Sequence, residues 1–348
     1  VTGIITINKA SPPLLPATFA SQASFTQKLL NFAITLAPNP GSPQPTSFAG
    51  TAGSSSPGTI NISGARARCR IQNAGAPAGG MAHISIYGLS QSLMNQMATL
   101  GVVVDSVSKN TILVSAGASS FPDASALNAV GAPITGFPVV FGGTIWFAYA
   151  DYNEMPEVPF RITAQTGLFE AVGSAPPTSF NGPTSIESIM QGFASALGVP
   201  LENNGVSGSL ANPYFAGTVL QQLYQAADHA GIHAQLVDGA TKLAIWPLGG
   251  SRSSLANIPL ISKTTGMIRS PSFAMNGWMI VEFVYNPDVV FGGNIQVQSD
   301  NVPQANKTWT VYKLDLSLDS IVPSGEWKAT ALCYPKGINA PAPNVAMP

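Results

Sequence analysis

MAHISIYGLSQSLMNQMATLG, Met81 to Gly101, passes from one periodicity to another within a few residues. Ala82, Ile84 and Ile86 fall on one side of an extended chain, with His83, Ser85 and Tyr87 on the other. This is the period of a half-buried β-strand. Gly88 interrupts it, and Leu93, Met97 and Leu100 then recur at helical spacing, with Ser90 placed to cap the helix and Gly101 to end it. A strand feeding one short helix is a unit of α+β architecture, and nothing in it is chemistry.

Outward from that stretch the chain reads as mainly β. Leu30, Phe32, Ile34 and Leu36 alternate, as do TINISG and ARARCRIQN before the opening strand. VVVDSV, TILVSAG, TIWFAYA and VPFRITAQ follow it. Residues 1–172 are therefore expected to form one predominantly β domain, a barrel or sandwich holding a short helix. Between its first strands lies Pro38 to Gly58, a Pro/Gly/Ser-rich loop of a length uncommon inside a compact domain. Residues 173–247 change character. Thr184 and Glu187 suggest a capping box before a stripe of Ile186, Ile189, Met190, Phe193 and Leu197, ended by Gly198. A second helix is expected from about Gly217 to Ala230, and GIHAQLVDGATKLAIW reads as a hairpin about Asp-Gly. Strands return over residues 248–334, and residues 335–348 read as an extended tail. FGGTI at Phe141 and FGGNI at Phe291 share four of five residues and hint that the two β regions are related.

Composition narrows the function. Only 9% of the 348 residues are charged, 45% are hydrophobic, and the net charge is -1. A chain with so few charges to solvate its surface suits a subunit covered by partners. FPVVFGGTIWFAYA and similar runs are broken by Gly and Pro and are too short to span a bilayer, and the first residues lack the pattern of a signal peptide. Cys69 and Cys333, far apart and without metal spacing, read as two buried, reduced thiols.

No catalytic constellation, metal site or cofactor fingerprint is expected. His229 and His233 stand four apart, but Gly231 between them should end the helix. Asp151, Glu154 and Glu157 could in principle supply glycosidase carboxylates, yet they flank Asn153 and Pro156 in what reads as a solvated turn. GVSGS lacks the second glycine of a nucleophile elbow, and no phosphate-binding loop is present. Arg66, Arg68 and Arg70 lie on one side of a strand, an exposed or partner-facing row rather than a DNA site, given the net charge and the lack of interleaved aromatics. These three, with Phe48 in the long loop and Pro341 in the tail, are the candidate partner-interface residues.

HISIYGLSQSLMNQMATLG, NNGVSGSLANPYFAGT, KLAIWPLGG, FVYNPDVVFGGNIQVQS and PSGEWKATALCY, in that order, resemble segments of the baseplate hub proteins of contractile-tailed bacteriophages. The resemblance covers residues from about 28 to 334. It departs at Pro38–Gly58, at ASSFPDASALNAVGAPITGFP and in the tail. It implies two tail-tube-like β-barrel domains and a small α+β domain per chain, with three chains closing into a homotrimeric ring. Implied partners are the spike protein, the tail tube or tube-initiator proteins and the tape measure protein. DNA would pass through a central channel without specific binding, no membrane is involved, and the virion part would be built in the host cytoplasm. A tail-borne peptidoglycan hydrolase using the Asp151 cluster is one alternative. The other is a carbohydrate-binding module with exposed aromatics, although Trp146, Trp278, Trp309 and Trp327 sit in strand patterns that suit core or interface.

Overall fold

The computed structural model describes residues 27–36, 59–75, 79–98, 110–119, 137–252, 257–274 and 277–336. The loop from Pro38 to Gly58, Phe48 within it, the strand expected at VVVDSV, Leu100, Gly101 and Pro341 lie outside these residues.

The N-terminal β region contains β1 (Gln27–Thr35), β2 (Thr59–Ser63), β3 (Ala67–Asn73), β4 (Gly80–Ile86), helix α1 (Gln91–Met97), β5 (Thr111–Ser119), β6 (Val139–Ala150), β7 (Phe160–Gln165) and the short helix α2 (Leu168–Val172). From Met81 to Met97 the opening stretch follows its periodicities, but the helix ends at Ala98, before the Leu100 and Gly101 expected to extend and stop it. Ala82, Ile84 and Ile86 are buried in β4 while His83 faces outward. The Ser90 hydroxyl accepts from the Leu93 N–H and starts α1, which buries Leu93, Met94 and Met97 and ends at Ala98.

An α+β segment follows: β8 (Thr178–Ser179), β9 (Pro183–Ser185), α3 (Ile186–Leu197), β10 (Leu201–Asn203), β11 (Ser209–Ala211), β12 (Tyr214–Phe215), α4 (Val219–Ala230), β13 (Ile232–Val237) and β14 (Lys242–Pro247). Ile186, Ile189, Met190 and Phe193 of the α3 stripe are buried and Leu197 is partly buried, but the cap is Ser185, whose hydroxyl accepts from the Ser188 N–H, rather than a Thr184–Glu187 box. Thr184 is committed to the β9–β11 ladder opposite Leu210, so the cap moves one residue on. Thr218 and Gln221 form the capping box of α4, and Gly198 and Gly231 end the two helices in the left-handed conformation. Both helices cover one face of the sheet β10–β14–β13 with their own apolar cluster.

The remaining strands are β15 (Leu260–Ser262), β16 (Met267–Phe273), β17 (Met279–Val284), β18 (Asn294–Gln298), β19 (Thr308–Ser320) and β20 (Trp327–Pro335). They join the first region in one 13-stranded sheet, ordered β16-β17-β20-β19-β3-β4-β7-β6-β5-β1-β2, with β18 on β19 and β15 on β18. The chain is thus mainly β around a large sheet that is antiparallel except where β15 meets β18. One apolar core runs under both regions, from Phe32, Ile84 and Phe160 to Phe283, Trp309 and Leu316.

The ladder path is open, and among the described residues no closed hydrogen-bonded barrel exists. The reason is β3: its outer edge pairs with β19 from the other end of the chain, Asn73 opposite Leu314 through Ala67 opposite Ser320, so the two β regions merge. β1 curls back to the same seam, where the Leu30 N–H donates to Ser320 Oγ at 3.4 Å.

Within this sheet one arrangement occurs twice. Strands β3 to β7 lie in the order β3-β4-β7-β6-β5, and β16 to β20 in the order β16-β17-β20-β19-β18. The register agrees too. β6 carries a bulge between Ile145 and Phe147 against β7, and β19 carries one between Val311 and Lys313 against β20. At the bulges, the Ile145 N–H bonds the Asn110 carbonyl at 2.7 Å and the Val311 N–H bonds the Gly293 carbonyl at 2.9 Å. Bulges set twist and local register, so their recurrence at one position in both halves marks a shared design.

The echo FGGTI/FGGNI does not mark this repeat, contrary to expectation. Phe141 lies in β6, the counterpart of β19, whereas Phe291 precedes β18, the counterpart of β5. Each glycine pair is instead a place where the α+β segment approaches closely. A Cβ on Gly142 would overlap the Gly239 carbonyl, and one on Gly292, which has a positive φ of 75°, would lie 3.0 Å from the Trp246 ring.

Candidate functional site

Three kinds of surface feature were candidates for function: the arginine row, the acidic turn and the histidine pair. The arginine row is mostly spent inside the chain. Arg66 donates to Glu157 at 2.7 Å and lies over the Tyr87 ring. Arg70 donates to Asp319 at 2.6 Å and reaches Glu326 at 3.2 Å, tying β3 to the β19–β20 hairpin. The Asp319 side chain is only 6% exposed, which is why this polar position of β19 is buried despite the strand's alternation. Arg68 is exposed and has no hydrogen-bond or ionic partner among the described residues.

These environments predict different mutational costs. Arg70→Ala removes the counter-charge of a buried carboxylate that keeps only its bond from the Glu326 N–H, and should cost about 1–2 kcal/mol in denaturant unfolding. Arg68→Ala should stay within about 0.5 kcal/mol of the parent, as expected of an unengaged surface side chain.

Asp151, Glu154 and Glu157 lie where the sequence places them, on the β6–β7 turn, but each has a cation. Arg161 donates to Asp151 at 2.8 Å and to Glu154, and Arg66 holds Glu157. The Arg161 hydrogen bond is the main cause holding the Asp151 carboxyl below its ordinary range. A glycosidase acid needs the opposite shift. His229 lies on α4 against the Phe215 ring and His233 on β13 against Trp246, so the helix end at Gly231 separates them onto two elements. Among the described residues no three His, Cys, Asp or Glu side chains gather as metal ligands. Cys69 and Cys333 are free and buried, and desolvation pushes the Cys69 thiol up to about 12. Trp278 and Trp309 are core residues, Trp327 packs against the core, and Trp146 stands exposed on β6.

Sequence reasoning missed the most connected charged group. Arg252 is buried, with its side chain 1% exposed. Its Nε and Nη2 each donate to a Glu202 carboxylate oxygen at 2.8 Å, while Nη1 and Nη2 reach Asp238 at 3.2 and 3.1 Å. Its N–H also bonds the Gly292 carbonyl at 2.8 Å. One residue thereby ties β10 and the β13–β14 turn to the segment before β18. Around it Val237, Ala244 and Trp246, on the sheet face away from the helices, pack against Phe291. The only sequence signal was a lone cation after the Gly-Gly of PLGGSR.

The described residues contain no helix long and apolar enough to cross a membrane.

The comparisons agree on the fold. The family model described as baseplate hub gp41 matches residues 58–322. No curated protein matches the chain. Among solved structures, the tail protein from Neisseria meningitidis MC58 is similar at a TM-score of 0.55 and 9% identity, covering 88% of this chain and 96% of that one. The 43 kDa tail protein of prophage MuSo2 from Shewanella oneidensis is similar at 0.52 and 9% identity, covering 88% and 97%. The E. coli c3393 protein, described as a type VI secretion component with structural similarity to the phage T4 tail proteins gp27 and gp5, is similar at 0.51 and 10% identity, covering 79% and 76%. Mainly β and matched over residues 58–322 by that family model, the chain belongs to the baseplate hub gp41 family and is a structural part of a phage tail.

Proposed function

We propose that three copies of this chain close into a ring that adapts a six-fold tail tube to a three-fold spike. The supporting observation is the repeated strand order, with β3–β7 and β16–β20 sharing sequence order, pairing order and bulge position. Two look-alike β units per chain give three chains six units, which meets six-fold symmetry on one face while the α+β segments keep a period of three on the other. Each unit is a tube-like module, and the ring leaves a channel for DNA and the tape measure protein. The role is geometric, and no residue is assigned to catalysis. Residues 1–172 and 248–334 supply the two modules, with residues 173–247 as the small domain braced between them by Arg252. Arg68, exposed and without a hydrogen-bond or ionic partner among the described residues, is the member of the arginine row offered to a partner.

Mass photometry of the purified protein, alone and mixed with the spike and tube proteins of the same particle, tests the copy number. Three copies per assembly is the expected result. A monomer under all these conditions, or a ring of another count, contradicts the reading.

A further inference from the structure

The α+β segment meets the large sheet through one face of β13, where His233, Gln235 and Val237 lie opposite to the helix-packed Ile232 and Ala234. At one end of this seam a guanidinium is already seated: Arg252 lies between Glu202 and Asp238. At the other end is a cavity of about 50 Å³, bounded by α4, β13 and β14 on one side and by β19, β20 and the segment before β18 on the other.

Two buried polar atoms of residues lining this cavity have no partner, Nε2 of His233 and Oε1 of Gln235. Gln235 is 5% exposed, and its amide nitrogen donates to the Ala74 carbonyl at 3.3 Å, so the oxygen is the idle end. Burial holds the His233 imidazole below its ordinary range, and the neutral ring with its proton on Nδ1 presents a second acceptor. Buried polar atoms without partners are few in native proteins, and two in one cavity call for an occupant that donates.

The walls and the size say which donor. Trp246 and Phe291 stand edge to face at 6.0 Å and Tyr312 and Tyr334 at 6.3 Å, and all four line the cavity. Aromatic rings around a desolvated site attract a cation. Asp228 lines it too, an exposed carboxylate of α4 with no ion pair among the described residues. Pockets for whole small molecules run to about 300–1,000 Å³, far above this one. One water needs about 10–15 Å³ of such space, so the cavity takes a group of about four heavy atoms. A guanidinium has that size, lies flat against rings, and carries N–H groups along its whole edge, whereas an ammonium is a point donor.

We infer that this cavity is the socket for an arginine side chain of another tail protein, its guanidinium donating to His233 and Gln235 with its charge facing Asp228. A partner seated there bridges the α+β segment and the second β region. The socket does not depend on how many copies form the ring.

Titrating the full chain with N-acetylarginine amide tests this by NMR, since only three histidines need resolving. The His233 imidazole signals should move while those of His83 stay. N-acetyllysine amide should bind about threefold more weakly, and the citrulline analogue, neutral and of the same shape, should leave His233 unmoved. Asp228→Asn should weaken the arginine probe about threefold without changing the melting temperature, because the residue is exposed. Mixed with the other baseplate proteins of the same particle, the Asp228→Asn chain should also form fewer mixed complexes in mass photometry. A His233 signal that ignores the arginine probe, or answers the citrulline analogue equally, overturns the socket. Probe binding with mixed complexes indifferent to Asp228→Asn overturns its assignment to a tail partner. A three-copy ring that ignores the probe leaves the ring reading standing without the socket, and probe binding by a chain that never forms threes supports the socket and removes the ring alone.

Discussion

Arg252→Ala is expected to lower the free energy of unfolding by about 3 kcal/mol, among the largest costs of any single substitution at a charged residue of this chain. Breaking a buried ion pair costs about 3–5 kcal/mol because the abandoned charges stay desolvated. The low end applies because Glu202 and Asp238 are 15% and 33% exposed and can take up water. Arg252→Lys should recover little, because an ammonium cannot supply two bidentate forks. Adding Glu202→Gln and Asp238→Asn to Arg252→Met should restore part of the loss by removing the two charges that Arg252 balances. Denaturant unfolding checks all three, and an Arg252→Ala protein as stable as the parent would show that these ion pairs are not what holds the α+β segment in place.

Gly142→Ala is expected to be comparably damaging for a different reason. Its new methyl would overlap the Gly239 carbonyl, backbone against backbone, with no flexible side chain to yield. Overpacking costs about 1–3 kcal/mol where neighbours can shift, and the upper end or beyond applies here. Gly192→Ala is the matched control. Gly192 lies in α3 with open space around it, so alanine should stabilise by about 0.5–1 kcal/mol through helix propensity. Thermal melts moving in opposite directions for the two alanines would place the cost at the contact between β6 and the β13–β14 turn.

Local structure was legible where one periodicity governed a stretch. The alternation of β4 and the Ile186, Ile189, Met190 and Phe193 positions of α3 folded as their spacing required. Short strands such as β8, β9, β11 and β12 were not legible, because two or three residues carry no period. The repeat itself was invisible in the residues: the matching bulge positions are Trp146 in one half and Tyr312 in the other, and the strands around them share pairing rather than side chains. The sequence echo that did stand out marked close packing against the α+β segment. The candidate interface was half legible, since the arginine row was found but the capture of Arg66 and Arg70 by Glu157 and Asp319 depends on contacts 91 and 249 residues away. Arg252 was missed for the same reason, its two carboxylates arriving from β10 and from the β13–β14 turn.

Electron cryomicroscopy of the assembled protein tests the central idea most directly, by showing how many β lobes each copy contributes around the axis. Three copies displaying six lobes of alike strand order is the predicted density. Three lobes, or six whose strand orders differ, would contradict it.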